Sequence, residues 1–147
     1  NMAKRLCKIK ETNNCAVELA REIALKPQKG SATVVGLKGD LGSGKTHFTK
    51  ALAKELGITE TVLSPTFVIM KVYKLKTKSY KLFVHIDAYR LENKNELLSI
   101  GWEEILSDPK NLIVVEWPEK VKGLMPKNMR EIKFRHVDEK TREISWK

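Results

Sequence analysis

The stretch Gly39-Asp40-Leu41-Gly42-Ser43-Gly44-Lys45-Thr46 constrains this chain more than any other. It fits G-x-x-x-x-G-K-[ST], the phosphate-binding P-loop. Its glycines let the backbone turn back on itself, so that successive N–H groups from Asp40 through Thr46 can converge on an anion. Lys45 would reach the β- and γ-phosphates of a nucleotide, and the Thr46 hydroxyl would bind Mg2+. A helix starting at the end of the loop adds its positive N-terminal end. The flanks agree with this reading. Ala32-Thr33-Val34-Val35-Gly36-Leu37 is short, apolar and β-branched, which predicts a buried strand. Phe48, Ala51, Leu52 and Leu56 follow at helical spacing, and Gly57 is a natural stop. Strand, loop and helix come in the order the chemistry requires, so a nucleoside triphosphate with Mg2+ is the expected ligand.

A chain of 147 residues fits a single domain, 1–147, with room for a real core. Asn1 ahead of Met2 reads as a remnant of expression. No apolar run approaches the roughly 18 residues that span a bilayer, and the N-terminus carries no apolar stretch of a secretory signal. The expectation is a cytoplasmic protein without a membrane segment. Cys7 and Cys15 have neither metal-ligand spacing nor the pattern of a disulfide framework, so reduced thiols are expected. The formal net charge of +10 permits an RNA partner. Its lysines are scattered, with no arginine-rich tract and no interleaved aromatics, which fits a lysine-heavy solvated surface better.

Along the chain, Ala3 to Lys10 reads as a strand or a partly ordered arm. Asn13 or Asn14 can cap a helix whose stripe is Ala16, Leu19, Ala20 and Ile23, closed by Pro27 and Gly30. After the P-loop helix, Val68, Met70, Val72 and Leu75 suggest a strand. Tyr80 to Asp87 gives a second, with Leu82, Val84 and Ile86 on one face and Phe83 and His85 on the other. The short polar turn between them implies an antiparallel hairpin. Helical turns follow at Asn95–Leu98 and Ile100–Leu106, then the apolar strand Leu112-Ile113-Val114-Val115 ending at Glu116, then strands at Arg130–Val137 and Glu143–Trp146. Helices alternating with buried strands imply a P-loop NTPase-like three-layer α/β/α domain, with a partly parallel central sheet and an antiparallel hairpin extension. In such sheets ligands bind beyond the C-terminal ends of the strands, which places the P-loop, Asp87 and Glu116 on one edge.

P-loop enzymes add an acidic residue to the hydroxyl in holding Mg2+. Glu116 follows the more apolar strand, and Asp87 has the shorter carboxylate usual for this role; one can hold the metal through water while the other orients the attacking water. Thr66, in Ser64-Pro65-Thr66-Phe67, can add a hydroxyl to Mg2+ when a γ-phosphate is present, as switch segments do, or can belong to a plain Pro turn. Trp117 would cover the site, contact a partner or simply pack in the core. His85 reads as an inner histidine rather than a ligand.

Three enzyme classes compete. A GTPase should carry Asn-Lys-x-Asp after a buried strand, whereas the nearest string, Asn93-Lys94-Asn95-Glu96, ends in Glu and follows no strand. A small-molecule kinase would need an arginine-rich lid, and only Arg90 and Arg142 fall in late loops. An ATPase that drives or resets a partner complex remains. Outside catalysis, the same P-loop would serve a module whose partner affinity is switched by ATP occupancy alone.

The P-loop, Ser64-Pro65-Thr66-Phe67, His85-Ile86-Asp87-Ala88-Tyr89-Arg90-Leu91 and Val115-Glu116-Trp117-Pro118-Glu119 occur in the order seen in the TsaE family. Ile100-Gly101-Trp102-Glu103-Glu104-Ile105-Leu106 is similar to that family's Leu-Gly-x-Asp-Glu-x-Leu stretch. The resemblance runs from the first helix to the Glu-Trp-Pro-Glu loop and is loose after Lys120. It implies a bacterial ATPase of tRNA threonylcarbamoyladenosine biosynthesis that uses ATP and Mg2+. Such a protein binds the TsaB–TsaD heterodimer, whose TsaD transfers the threonylcarbamoyl group to adenosine 37 of tRNAs reading codons that begin with A. Direct contact with tRNA stays open. By the same resemblance, Lys45 and Thr46 match the phosphate and Mg2+ residues. Asp87 and Glu116 match the acidic site residues, Thr66 the switch-like threonine, and Trp117 a functional tryptophan. His47 and Ala88 depart from the commoner threonine and leucine without removing a group the chemistry needs.

Overall fold

A computed structural model describes residues 3–40, 44–60, 62 and 68–146, with side chains from residue 14 onward within these ranges. The elements in chain order are β1 (Ala3–Lys8), α1 (Ile9–Leu25), β2 (Thr33–Lys38), α2 (Lys45–Glu55), β3 (Met70–Lys74), β4 (Leu82–Asp87), α3 (Asn95–Ser99), α4 (Trp102–Ser107), β5 (Asn111–Glu116), a 3-10 segment (Pro118–Leu124), β6 (Arg130–His136) and β7 (Thr141–Trp146). Among the described residues the strands form one seven-stranded sheet in the order β1-β7-β6-β2-β5-β4-β3. The centre is parallel: β2 lies between β5 and β6, and β4 pairs with β5. Both flanks are antiparallel, through the β3–β4 hairpin on one side and β6–β7–β1 on the other.

β2, β4 and β5 are apolar on both faces because helices cover both, as parallel strands require. On one side α1 and α2 pack Ala16, Leu19, Ile23, Phe48 and Leu52 over Val35, Phe83, Leu112 and Val114. On the other, α3, α4 and the 3-10 segment bring Leu97, Trp102 and Val121 against Val34, Val84, Ile86, Ile113 and Val115. The Trp102 indole N–H donates to the Leu124 carbonyl at 3.1 Å and ties α4 to the 3-10 segment. This is the three-layer α/β/α arrangement that the alternation of elements implied. No helix among the described residues is long and apolar enough to cross a membrane.

Four local expectations are corrected. α1 begins at Ile9, so Asn13 and Asn14 lie inside the helix and do not cap it. Asparagine is a good cap, yet inside a helix it costs only about 0.7 kcal/mol or less, and packing of the helix on the sheet overrides that. On β3 the inward residue is Tyr73, set against Phe83 with ring centroids 5.9 Å apart. Val72, on the opposite face of this edge strand, is 48% exposed. Arg142 belongs to β7 and not to a loop; its guanidinium donates to the Asp138 carbonyl at 2.7 Å. Cys15, expected as a reduced thiol, is disulfide-bonded. The chain passes from β1 directly into α1, which folds back on that strand, a proximity that linear spacing does not reveal.

Candidate functional site

The site is assembled from the C-terminal ends of three neighbouring strands. β2 runs out at Lys38 and the chain enters the P-loop; β4 ends at Asp87 and β5 at Glu116. The register places Asp87 opposite Glu116, and Glu116 opposite Leu37. Side chains alternate along a strand, so Asp87 shares a face with Phe83, and Glu116 with Leu112 and Val114. That face is the one α2 covers. The two carboxylates and the start of α2 therefore meet on one side of one edge, as the sequence implied.

α2 starts at Lys45, preceded by Gly44 at φ 114° and ψ 0°, a left-handed conformation that favours glycine. A glycine cap offers no side-chain oxygen to the first helical N–H groups, which leaves them available to an anion. Thr46 is exposed in this first turn. Thr49, one turn on, is buried and its hydroxyl donates back to the Lys45 carbonyl at 3.1 Å. Asp40, the second residue of the loop, is exposed. Leu41, Gly42, Ser43 and Thr66 lie outside the described residues.

Lys45 is 5% exposed, and its ammonium has no hydrogen-bond partner among the described residues. Burial pulls its pKa below the ordinary lysine value, and the carboxylates of Glu116, Asp87, Glu119 and Asp40 act in the opposite direction. Its Nζ lies over the Trp117 ring, 4.1 Å from the centroid. Trp117 follows Glu116 directly and holds a left-handed backbone, φ 59° and ψ 50°, before the 3-10 segment. Its N–H donates to the Leu37 carbonyl at 3.2 Å, which extends the β2–β5 ladder by one bond. The indole packs on Tyr89 at 5.0 Å between centroids, and the Lys120 ammonium lies 6.0 Å from the Tyr89 ring. Of the three roles open to Trp117, this geometry gives it a position over the P-loop lysine.

The carboxylates are each held. Asp87 Oδ1 accepts the Tyr89 N–H at 2.9 Å. Glu116 Oε2 lies 2.7 Å from His85 Nε2, and both residues are buried. The contact of His85 with Glu116 was not anticipated, and neither was the contact of Tyr89 with Trp117. The period of two already put His85 on the Asp87 face; the missing information was the β4–β5 register, which sets a β4 residue beside one on β5.

A buried lysine ammonium without a hydrogen bond, an open helix start and two carboxylates suit a polyphosphate with a hard cation. Phosphate oxygens would give the ammonium the acceptors it lacks, and Mg2+ prefers oxygen ligands such as a hydroxyl and a carboxylate.

The chain as a whole is similar to known proteins of one family. The profile of the family described as threonylcarbamoyl adenosine biosynthesis protein TsaE matches residues 7–144. The tRNA threonylcarbamoyladenosine biosynthesis protein TsaE of Rickettsia typhi is 36% identical, over 94% of this chain and 89% of its own. The Bacillus subtilis protein of the same name is 36% identical, over 77% of this chain and 68% of its own. The crystal structure of Bacillus subtilis YdiB is similar at a TM-score of 0.75 with 29% identity, covering 99% of this chain and 84% of that one.

Proposed function

This chain belongs to the TsaE family, and from that premise we propose that it is a Mg2+-dependent ATPase serving threonylcarbamoyl modification of adenosine 37 in tRNA. It would act with the TsaB–TsaD complex on tRNAs reading codons that begin with A, and would not itself transfer the group. The names of the relatives support the pathway. The observation that carries the nucleotide reading is the Lys45 ammonium, buried at the start of α2 and without a hydrogen bond among the described residues.

Lys45 would hold the β- and γ-phosphates, with the first N–H groups of α2 and the P-loop backbone around them. The Thr46 hydroxyl and one of Glu116 and Asp87 would hold Mg2+, leaving the other carboxylate to orient water; Thr66 would join when a γ-phosphate is present. The metal would supply positive charge against the phosphate oxygens as the bond to the leaving group breaks. Trp117 would leave Lys45 as phosphate arrives and then cover the site. A burial-lowered lysine pKa favours this exchange, because an ammonium held away from water gains more from a phosphate than a solvated one does.

Turnover by the chain alone is expected to fall below the roughly 1–100 s⁻¹ of kinases, since the sequence places no arginine at a fixed position on the phosphates. The test is ATP hydrolysis with and without TsaB–TsaD from the same source. A partner-dependent rise is expected. Bound ATP with no rise would remove the coupling to that complex and return the kinase reading for trial against small acceptors.

A further inference from the structure

His85 has so far been given no part. It stands on β4 two residues before Asp87, on the same face, and is 3% exposed. Its register partner is Val114, and it reaches diagonally along β5 to Glu116. The ring stacks on Phe83, with centroids 6.3 Å apart and planes 22° from parallel. With Glu116 ionised, only an Nε2–H can make the 2.7 Å contact to Oε2. Nδ1 is buried without a hydrogen-bond partner among the described residues.

A glutamate at a strand end has a broad terminal torsion and no intrinsic preference for which oxygen faces a ligand. Here a ring stacked on Phe83 occupies Oε2, one of the two carboxylate oxygens. We propose that His85 is a positioning residue for Glu116: its Nε2–H fixes Oε2, so that Oε1 is presented to the metal–nucleotide edge. Partners of this kind, one bond removed from a metal, commonly change metal affinity by about 10–100-fold. The inference rests on the Mg2+–nucleotide reading above and adds to it a group that touches neither metal nor phosphate.

The experiment is calorimetric binding of ADP in excess Mg2+ and in EDTA, with the ratio of the two affinities as the readout. His85→Leu should cut that ratio by about tenfold and leave the EDTA affinity within about twofold. His85→Gln, whose amide can donate to Glu116, should recover much of the ratio. In a Glu116→Gln background, where no buried carboxylate is stranded, adding His85→Leu should change the ratio no further. That pair also serves if His85→Leu alone does not fold. A wild-type ratio in His85→Leu, or a further loss in the Glu116→Gln background, overturns the positioning role. Wild-type chain that binds ADP equally with and without Mg2+ overturns the metal–nucleotide reading itself.

Discussion

The Lys45 ammonium stands 4.1 Å from the centre of the Trp117 ring, an aromatic face where a P-loop lysine would otherwise meet phosphate. The contact is worth about 0.5–2 kcal/mol. Against it stand the desolvation of an ammonium with no hydrogen bond among the described residues, at least about 1–3 kcal/mol, and the left-handed backbone of Trp117, about 1–2 kcal/mol for a residue with a Cβ. The resting arrangement is therefore easily exchanged for one with an anion.

Lys45→Met should abolish nucleotide binding and make the free chain more stable. Relief of the buried charge, less the lost ring contact, leaves a gain of about 1 kcal/mol. In a domain of this size that raises the thermal midpoint by about 2–4 °C. Calorimetry and a thermal melt check the two halves; a lower midpoint would mean that the ring contact outweighs the desolvation.

Nucleotide that draws Lys45 away from Trp117 should change the emission of that indole. A fluorescence titration of the wild-type chain with ATP should saturate, and Trp117→Phe should remove the change while Trp102 and Trp146 still emit. A response that survives Trp117→Phe would place the motion elsewhere.

Glu116→Ala should lower Mg2+-dependent hydrolysis by at least about 100-fold, the scale of a lost proton-handling or water-orienting group. Nucleotide affinity measured in EDTA should stay close to wild type. Steady-state rates in the presence of the partner complex decide this, and an unchanged rate would assign the metal to Asp87.

Gly36→Ala should destabilise the fold from beside the site. A Cβ at Gly36 in β2 would come within 2.7 Å of Met129 Sδ and 3.0 Å of Pro118 Cγ. The thioether can move, but the proline ring is fixed to the backbone and buried at the start of the 3-10 segment that follows Trp117. Overpacking of this kind costs about 1–3 kcal/mol. A melt should show that loss, accompanied by weaker ATP binding because Pro118 carries Trp117 with it.

Tyr80 gives the fold an alkaline limit. Its hydroxyl reaches the Ile23 carbonyl at 3.2 Å and Thr33 Oγ1 at 3.4 Å, joining the end of α1 to the start of β2. Burial raises its pKa above 10.0. Above pH 10.0 the unfolded chain therefore releases this proton while the folded chain keeps it, so stability falls as pH rises from there through the raised folded value. Tyr80→Phe should cost about 0.5–1.5 kcal/mol near neutrality and flatten the alkaline limb in urea melts taken across that window.

Much of this was legible in the sequence because it is written locally. The glycines of the P-loop, the apolar run before it and the helical spacing after it each encode their own conformation. Asp87 and Glu116 each close an apolar run, and the rule that such runs end on one edge of the sheet places them opposite each other, as the register has them. What was not legible depends on pairing. Val72 stays exposed and Tyr73 is buried because only one of the two faces of β3 is covered at that level. His85 meets Glu116 through a register that no single strand contains. The start of α1 was misread because asparagine suits both a cap and an interior turn, and the choice is made by the sheet beneath it.

The central strand β2 finds both of its neighbours, β5 and β6, far downstream in the chain. During synthesis the glycine-rich turn would leave the ribosome well before the strands that place Glu116 and Trp117 beside it. Capture of a nucleotide should then wait until β5 and the turn after it have been made and paired with β2, and a half-folded copy would have no grip on it.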